Sequence, residues 1–171
     1  MTSRFPVRTR VLHWLTAVAV FAALLIGFAM TNAIGSHGAL VAVHMTLGIS
    51  ILAIVIVRAA NRFTHKPPKW PATVGPLEGK LIAGSELAMY AMLLAQPLVG
   101  WAMVSASGTP VRVFGLKLPG LVPFDADLYG ILRQTHSVVA YLLVAAIAAH
   151  VSAILLHTLT LRDGMLRRMT H

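Results

Sequence analysis

The sequence predicts an all-α protein, a bundle of four helices that cross a membrane. Three observations predict it. Four apolar runs each reach the roughly 20 residues that a spanning helix needs. Of the 171 residues, 57% are hydrophobic and 11% charged, against about 25% charged in a soluble domain. The runs also lack the alternation of barrel strands, and only helices or closed barrels satisfy their backbone within lipid.

The first run extends from about residue 11 to 30, the second from 40 to 57, the third from 81 to 104 and the fourth from 134 to 160. Together they describe one domain over residues 1–171, with no room for a dinucleotide-binding unit and no glycine-rich fingerprint for one. No internal repeat is apparent. The connections differ. Residues 31–39 are short and uncharged, with Gly35 and Gly38. Residues 58–80 hold Pro67, Pro68, Pro71 and Pro76 among basic residues. Residues 105–133 are the longest connection, and a loop of that length is commonly functional.

Net charge is +9. Its placement speaks for membrane topology rather than nucleic acid. Arg4, Arg8 and Arg10 precede the first run, Arg58, Arg62, Lys66, Lys69 and Lys80 follow the second, and Arg162, Arg167 and Arg168 follow the fourth. The opposite side holds only Arg112, Lys117 and Arg133. The positive-inside bias puts both termini and the 58–80 loop in the cytoplasm. The basic start followed by an apolar run resembles a signal peptide. The run is long for one, however, and it contains His13.

The chain has no cysteine, which removes disulfides, Cys-held clusters and the C-x-x-C-H attachment of c-type haem. Eight histidines are available instead. Ionisable residues inside spanning segments are costly and are functional candidates by default. Four qualify: His13, His44, His136 and His150. Fourteen residues separate His136 from His150, nearly four helical turns and about 21 Å, so both point the same way. Depth then pairs His13 with His150 at the cytoplasmic level and His44 with His136 at the periplasmic level. Each pair is a candidate bis-imidazole clamp for a haem.

Small neighbours on the ligand faces would leave room for a porphyrin: Ala17, Gly48, Ala140, Ala146 and Ala153, each about one turn from a histidine. Small residues also let membrane helices pack closely, and a single buried histidine is more often a polar contact than a ligand. Four histidines at two matched depths are harder to explain that way. Zinc would gather its ligands at one place. His37, His65 and His171 fall in loops or the tail and read as solvated.

With these residues in view, the chain resembles the bacterial cytochrome b561 family, including its superoxide oxidase type. The resemblance rests on R-V-L-H-W-L at Arg10–Leu15, H-M-T-L-G at His44–Gly48 followed by Arg58, and Y-x6-P-L-V-G-W at Tyr90–Trp101. It continues with V-F-G-L-K-L-P at Val113–Pro119, H-S-V-V-A-Y at His136–Tyr141, and H-x6-H at His150–His157 with L-R-R-M near the end. The order and spacing together cover nearly the whole chain. The resemblance implies two non-covalent b haems with His13, His44, His136 and His150 as axial ligands of iron, and electron transfer from periplasmic superoxide to ubiquinone. One departure stands out: Glu86 occupies a position where family members often carry histidine.

Glu86 and His157 lie near the cytoplasmic border, and His157 is two turns beyond His150. Both can titrate near neutrality when partly buried, as a proton relay to quinone requires. Simple snorkelling to water is the plain alternative. Arg133, one turn before His136, with Arg112 and Lys117, could draw an anion such as superoxide. Asp125 and Asp127 oppose that field, and Arg133 could equally hold a haem propionate. Two rival readings remain at this point. The chain could be the electron-transfer subunit of a hydrogenase, dehydrogenase or other redox protein, docking through residues 105–133. It could also be a haemless structural or metal-transport protein.

Overall fold

A computed structural model describes residues 4–31, 37–64, 70–71 and 73–170. Four helices are long and apolar enough to cross a membrane: α1 (Val7–Met30), α2 (His37–Thr64), α3 (Pro76–Ala106) and α4 (Ala126–Leu155), the last continued by a π turn over Leu156–Thr160. A short hairpin, β1 (Arg112–Val113) with β2 (Leu116–Lys117), lies between α3 and α4, and α5 (Arg167–Thr170) ends the chain. The protein is a multi-pass membrane bundle.

Every spanning helix is longer than the apolar run that foretold it. Hydropathy marks the part that crosses hydrocarbon, whereas the helix continues until its end groups find other partners. α3 starts early because Pro76 occupies its first turn and the Gly75 N–H donates to Glu78 Oε2 at 3.3 Å. α4 starts at Ala126 rather than near residue 134, because the Asp125 carboxylate accepts the Leu128 N–H at 3.0 Å. The expected loop over 105–133 is thereby shortened. His37, expected in a turn, is instead the first residue of α2; it is exposed, and its Nδ1 lies 3.3 Å from the Met30 carbonyl oxygen. His65, His171, Gly35, Lys66, Lys69, Pro67 and Pro68 lie outside the described residues.

Pro97 sits within α3 and removes one N–H from its ladder, a loss that membrane helices tolerate where neighbours re-satisfy the backbone. The closest backbone packing runs α1 on α2, α2 on α3 and α3 on α4, whereas α1 and α4 meet through side chains such as Phe28 and Tyr141, whose rings stand 6.0 Å apart. A small apolar core of Val20, Ile51, Val55, Leu93 and Leu143 draws on all four helices. Leu143 lies seven residues from both His136 and His150, so this layer separates two levels of the bundle. Leu25, Ile56, Leu87 and Leu142 are each more than half exposed, forming a surface suited to lipid.

Both termini meet at one end. The Phe5 N–H donates to the Arg168 carbonyl at 3.2 Å, and Trp14 Nε1 donates to the Met169 carbonyl at 3.1 Å.

Candidate functional site

The two expected histidine pairs are present. The His13 and His150 rings stand 6.3 Å apart, centre to centre, across the α1–α4 seam. The His44 and His136 rings stand 6.1 Å apart. Bond lengths say what fits between them. A five-membered ring with sides of about 1.33 Å has its centre roughly 1.1 Å from each atom. An imidazole nitrogen lies about 2.0–2.1 Å from a metal that it ligates. Two rings sharing one metal from opposite sides therefore stand about 6.3 Å apart. Both pairs match that span.

The donor set narrows the choice of metal. Among the described residues no group of three or more His, Cys, Asp or Glu is placed to hold an ion. A metal between two imidazoles must take its other ligands from elsewhere, and a porphyrin supplies four nitrogens in one plane. At the His13–His150 level the two facing helices meet through their side chains and not through close backbone contact, as a plate held between two imidazoles requires.

The neighbouring helices shape the far pair. A Cβ on Gly27 would come within 3.2 Å of His44 Cε1 and 3.7 Å of its Nδ1. A Cβ on Gly100 would come within 3.0 Å of His136 Cε1 and 3.3 Å of its Nδ1, against 4.0 Å for Nε2. Each ring thus lays its Nδ1 edge against a bare helix backbone, which leaves Nε2 for ligation. Both Nδ1 atoms are buried, and the backbone of Ala23 lies within hydrogen-bonding reach of the His44 ring and that of Gln96 within reach of the His136 ring. Gln96 Nε2 donates to the His136 carbonyl at 3.0 Å and holds that part of α4 against α3. Gly27, Gly100 and Gln96 were not singled out from the sequence as parts of a site. Of the small residues that were, Gly48 does face open space.

At the near pair, Arg58 Nη2 donates to His13 Nδ1 at 3.0 Å, and Trp14 stacks edge-on to the His13 ring at 5.4 Å. The Tyr90 ring lies beneath the Arg58 guanidinium, 5.2 Å from it to the ring centre.

Glu86 and His157 are not brought together. Glu86 pairs with Arg62 at 3.1 Å on a half-exposed surface. His157 is buried, with Nε2 2.9 Å from Glu78 Oε1 and Nδ1 2.6 Å from Asp163 Oδ2. An ionised carboxylate only accepts hydrogen bonds, so the two contacts together hold one proton beyond a neutral imidazole. The π turn at this end of α4 is the kind of local widening that recurs at functional sites. Burial by itself would raise the Asp163 carboxyl. Hydrogen bonds from His157, Thr73 and the Met165 N–H outweigh it and hold that carboxyl below its ordinary range. Neither Glu78 nor Asp163 was foreseen. Their only signals were the G-P-L-E start of α3 and the H-x5-D spacing after His157.

At the other end Arg133 is exposed. With Gly130, Gln134, Ser137, Val138 and Tyr141 it lines a shallow depression of about 460 Å³ on α4. Arg112 and Lys117 sit on the hairpin at the same end.

Four spanning helices carrying two facing imidazole pairs at separate levels define a membrane cytochrome of the b type. The chain belongs to the prokaryotic cytochrome b561 family, whose model matches residues 4–171. It is an electron-transfer protein that binds b-type haem. It is 28% identical over 127 residues to a protein of Yersinia pestis named probable superoxide oxidase CybB, covering 74% of this chain and 72% of that one. It is 26% identical to cytochrome b561 homolog 2 of Escherichia coli (strain K12), covering 97% and 90%. Cytochrome b561 homolog 1 of the same strain is 23% identical, covering 98% and 97%.

Proposed function

We propose that the chain is a dihaem superoxide oxidase of the bacterial inner membrane, taking electrons from periplasmic superoxide and delivering them to ubiquinone. The observation that carries this reading is the stacking of two imidazole pairs, each spaced for one metal, at opposite levels of one bundle. The name of the Yersinia pestis relative supports the donor. The eleven-to-three distribution of Lys and Arg supports cytoplasmic termini.

His13 and His150 would hold the haem nearer the termini, and His44 and His136 the other. Haem held there would supply reversible one-electron chemistry. The chain's own residues do the rest. Arg133 offers a cation one turn from His136, where an approaching anion is drawn in. The apolar helices and the central core keep water from the space between the two levels. At the cytoplasmic end His157, with Glu78 and Asp163, holds a transferable proton, and Glu86 adds a carboxylate at the border. Quinone needs two protons as well as two electrons to leave as quinol, and groups of this kind supply them.

The direct test is anaerobic mixing of the oxidised protein with a pulse of superoxide. Haem reduction faster than spontaneous dismutation supports the enzyme. Haem that reduces only when a protein partner is added supports an electron-transfer subunit instead.

A further inference from the structure

The hairpin after α3 has a tip that is costly to build and uncovered by the protein. In the pairing of β1 with β2, Arg112 stands opposite Lys117 and Val113 opposite Leu116. The two turn residues, Phe114 and Gly115, have φ of 50° and 81°. Positive φ at both positions is the turn that suits the twist of a hairpin, and its first place normally takes Asn, Asp or Gly. A bulky aromatic there is an outlier, and such strain persists where function holds it.

Phe114 gains no packing in return. It is 79% exposed, and Leu116 beside it is 71% exposed. The inner side of the segment is well anchored, since Val111 and Val113 are buried and β1 packs on α2. The base of the hairpin is therefore anchored, and the apolar groups at its tip are exposed.

The charges at the hairpin's base point the same way. Arg112 and Lys117 are exposed cations facing each other directly across the strands, an arrangement that repels. Among the described residues no carboxylate forms an ion pair with either. An anion between them would turn repulsion into a clamp.

The height of the hairpin says which anion. Trp101, in the last two turns of α3, donates its Nε1 to the Pro119 carbonyl at 3.0 Å, tying the segment just after the return strand to the end of a membrane-spanning helix. Tryptophan marks the headgroup level of a bilayer. That contact puts the hairpin at the end of the bundle remote from the termini, at the height where a spanning helix leaves the hydrocarbon.

We infer that the hairpin is a lipid anchor: Phe114 and Leu116 insert into the leaflet at that end, and Arg112 and Lys117 grip a phospholipid phosphate between them. The inference is independent of the electron donor, and it leaves Arg133 as the cation beside His136.

The absence of cysteine makes the test direct, because a single introduced thiol labels one site. Phe114→Cys, Leu116→Cys and, as a water-facing reference, Asp127→Cys are labelled with an environment-sensitive fluorophore in the full haem-loaded chain. Each is reconstituted into vesicles of phosphatidylethanolamine and phosphatidylglycerol. The labels at 114 and 116 should be quenched by nitroxide lipids and quenched several-fold less by aqueous iodide than the label at 127. Adding Arg112→Ser with Lys117→Ser should restore much of the iodide quenching at 114 while the haem spectrum stays unchanged, and inorganic phosphate should not reverse that loss. Labels at 114 and 116 as open to iodide as the label at 127 would overturn the anchor. An unaltered profile in the double serine variant would overturn the phosphate clamp.

Discussion

Arg58 on α2 donates from Nη2 to Nδ1 of His13, 3.0 Å away, with its guanidinium 5.2 Å from the centre of the Tyr90 ring. Nδ1 accepts this bond, so the ring proton rests on Nε2. Ligation through Nε2 reverses the assignment: Nδ1 then carries the proton and no longer accepts. With a haem held there, Arg58 would no longer donate to His13, and its charge would remain beside that pair. A cation close to a haem favours its reduced form. Arg58→Gln should lower the midpoint potential of the haem at the His13–His150 level by tens of millivolts, up to about 100 mV for a charge some 7 Å away at an effective dielectric near 20. Spectroelectrochemical titration reads this, and an unchanged pair of potentials would place Arg58 outside the field of that haem.

The glycine contacts give a graded expectation at the other pair. Gly100→Ala puts a methyl within 3.0 Å of His136 Cε1, and Gly27→Ala within 3.2 Å of His44 Cε1. Both contacts are to imidazole rings, each of which has to give by a few tenths of an ångström, and overpacking of this kind costs about 1–3 kcal/mol. Haem at the His44–His136 level should be lost or weakened in both variants, more in Gly100→Ala. Gly84→Ala, which meets nothing within 4 Å, should bind haem as the parent does. Equal haem content in all three would mean that the rings do not lean on these helices.

Steering by Arg133 should show in kinetics. Arg133→Glu reverses an exposed charge one turn from His136 and should slow haem reduction by superoxide, with haem content unaltered. The parent rate should fall as salt rises, because screening shortens the field to about 10 Å at 0.1 M. A reversed variant with the parent's rate and salt profile would remove steering from the mechanism.

At the cytoplasmic end, His157→Ala removes the bridge between Glu78 and Asp163, and Glu86→Gln keeps shape while losing the carboxylate. Each should slow quinone-dependent reoxidation of haem, by about 10²-fold or more if the group is the proton donor, and leave reduction by superoxide intact. Parent-like reoxidation by both variants with excess quinone would make them interface anchors. Asp163→Asn separates anchoring from proton supply. It should loosen the C-terminal segment towards protease, because Asp163 also holds Thr73 and the Met165 N–H.

Much of this was legible in the chain because membrane crossing leaves few options. Apolar length gave the helices, and the spacing of His136 and His150 together with chain direction gave both pairings. What stayed hidden depends on contacts between segments distant in sequence. Gly27 and Gly100 look like ordinary small residues of a membrane helix until a ring from another helix lies on them. Glu78 reads as a capping residue and Asp163 as a tail residue, although both meet His157, and Glu78 is 79 positions away from it. The early start of α4 turned on a single cap, Asp125, that hydropathy does not see.

The central claim is that each imidazole pair holds one haem, and counting haems tests it most directly. Pyridine haemochrome analysis of the purified chain should give two protohaems per polypeptide, both extractable by acid acetone. His44→Ala and His136→Ala should each lose the same one, and His13→Ala and His150→Ala the other. One haem in the parent, a haem that resists extraction, or His157→Ala losing the same haem as His13→Ala would contradict the account.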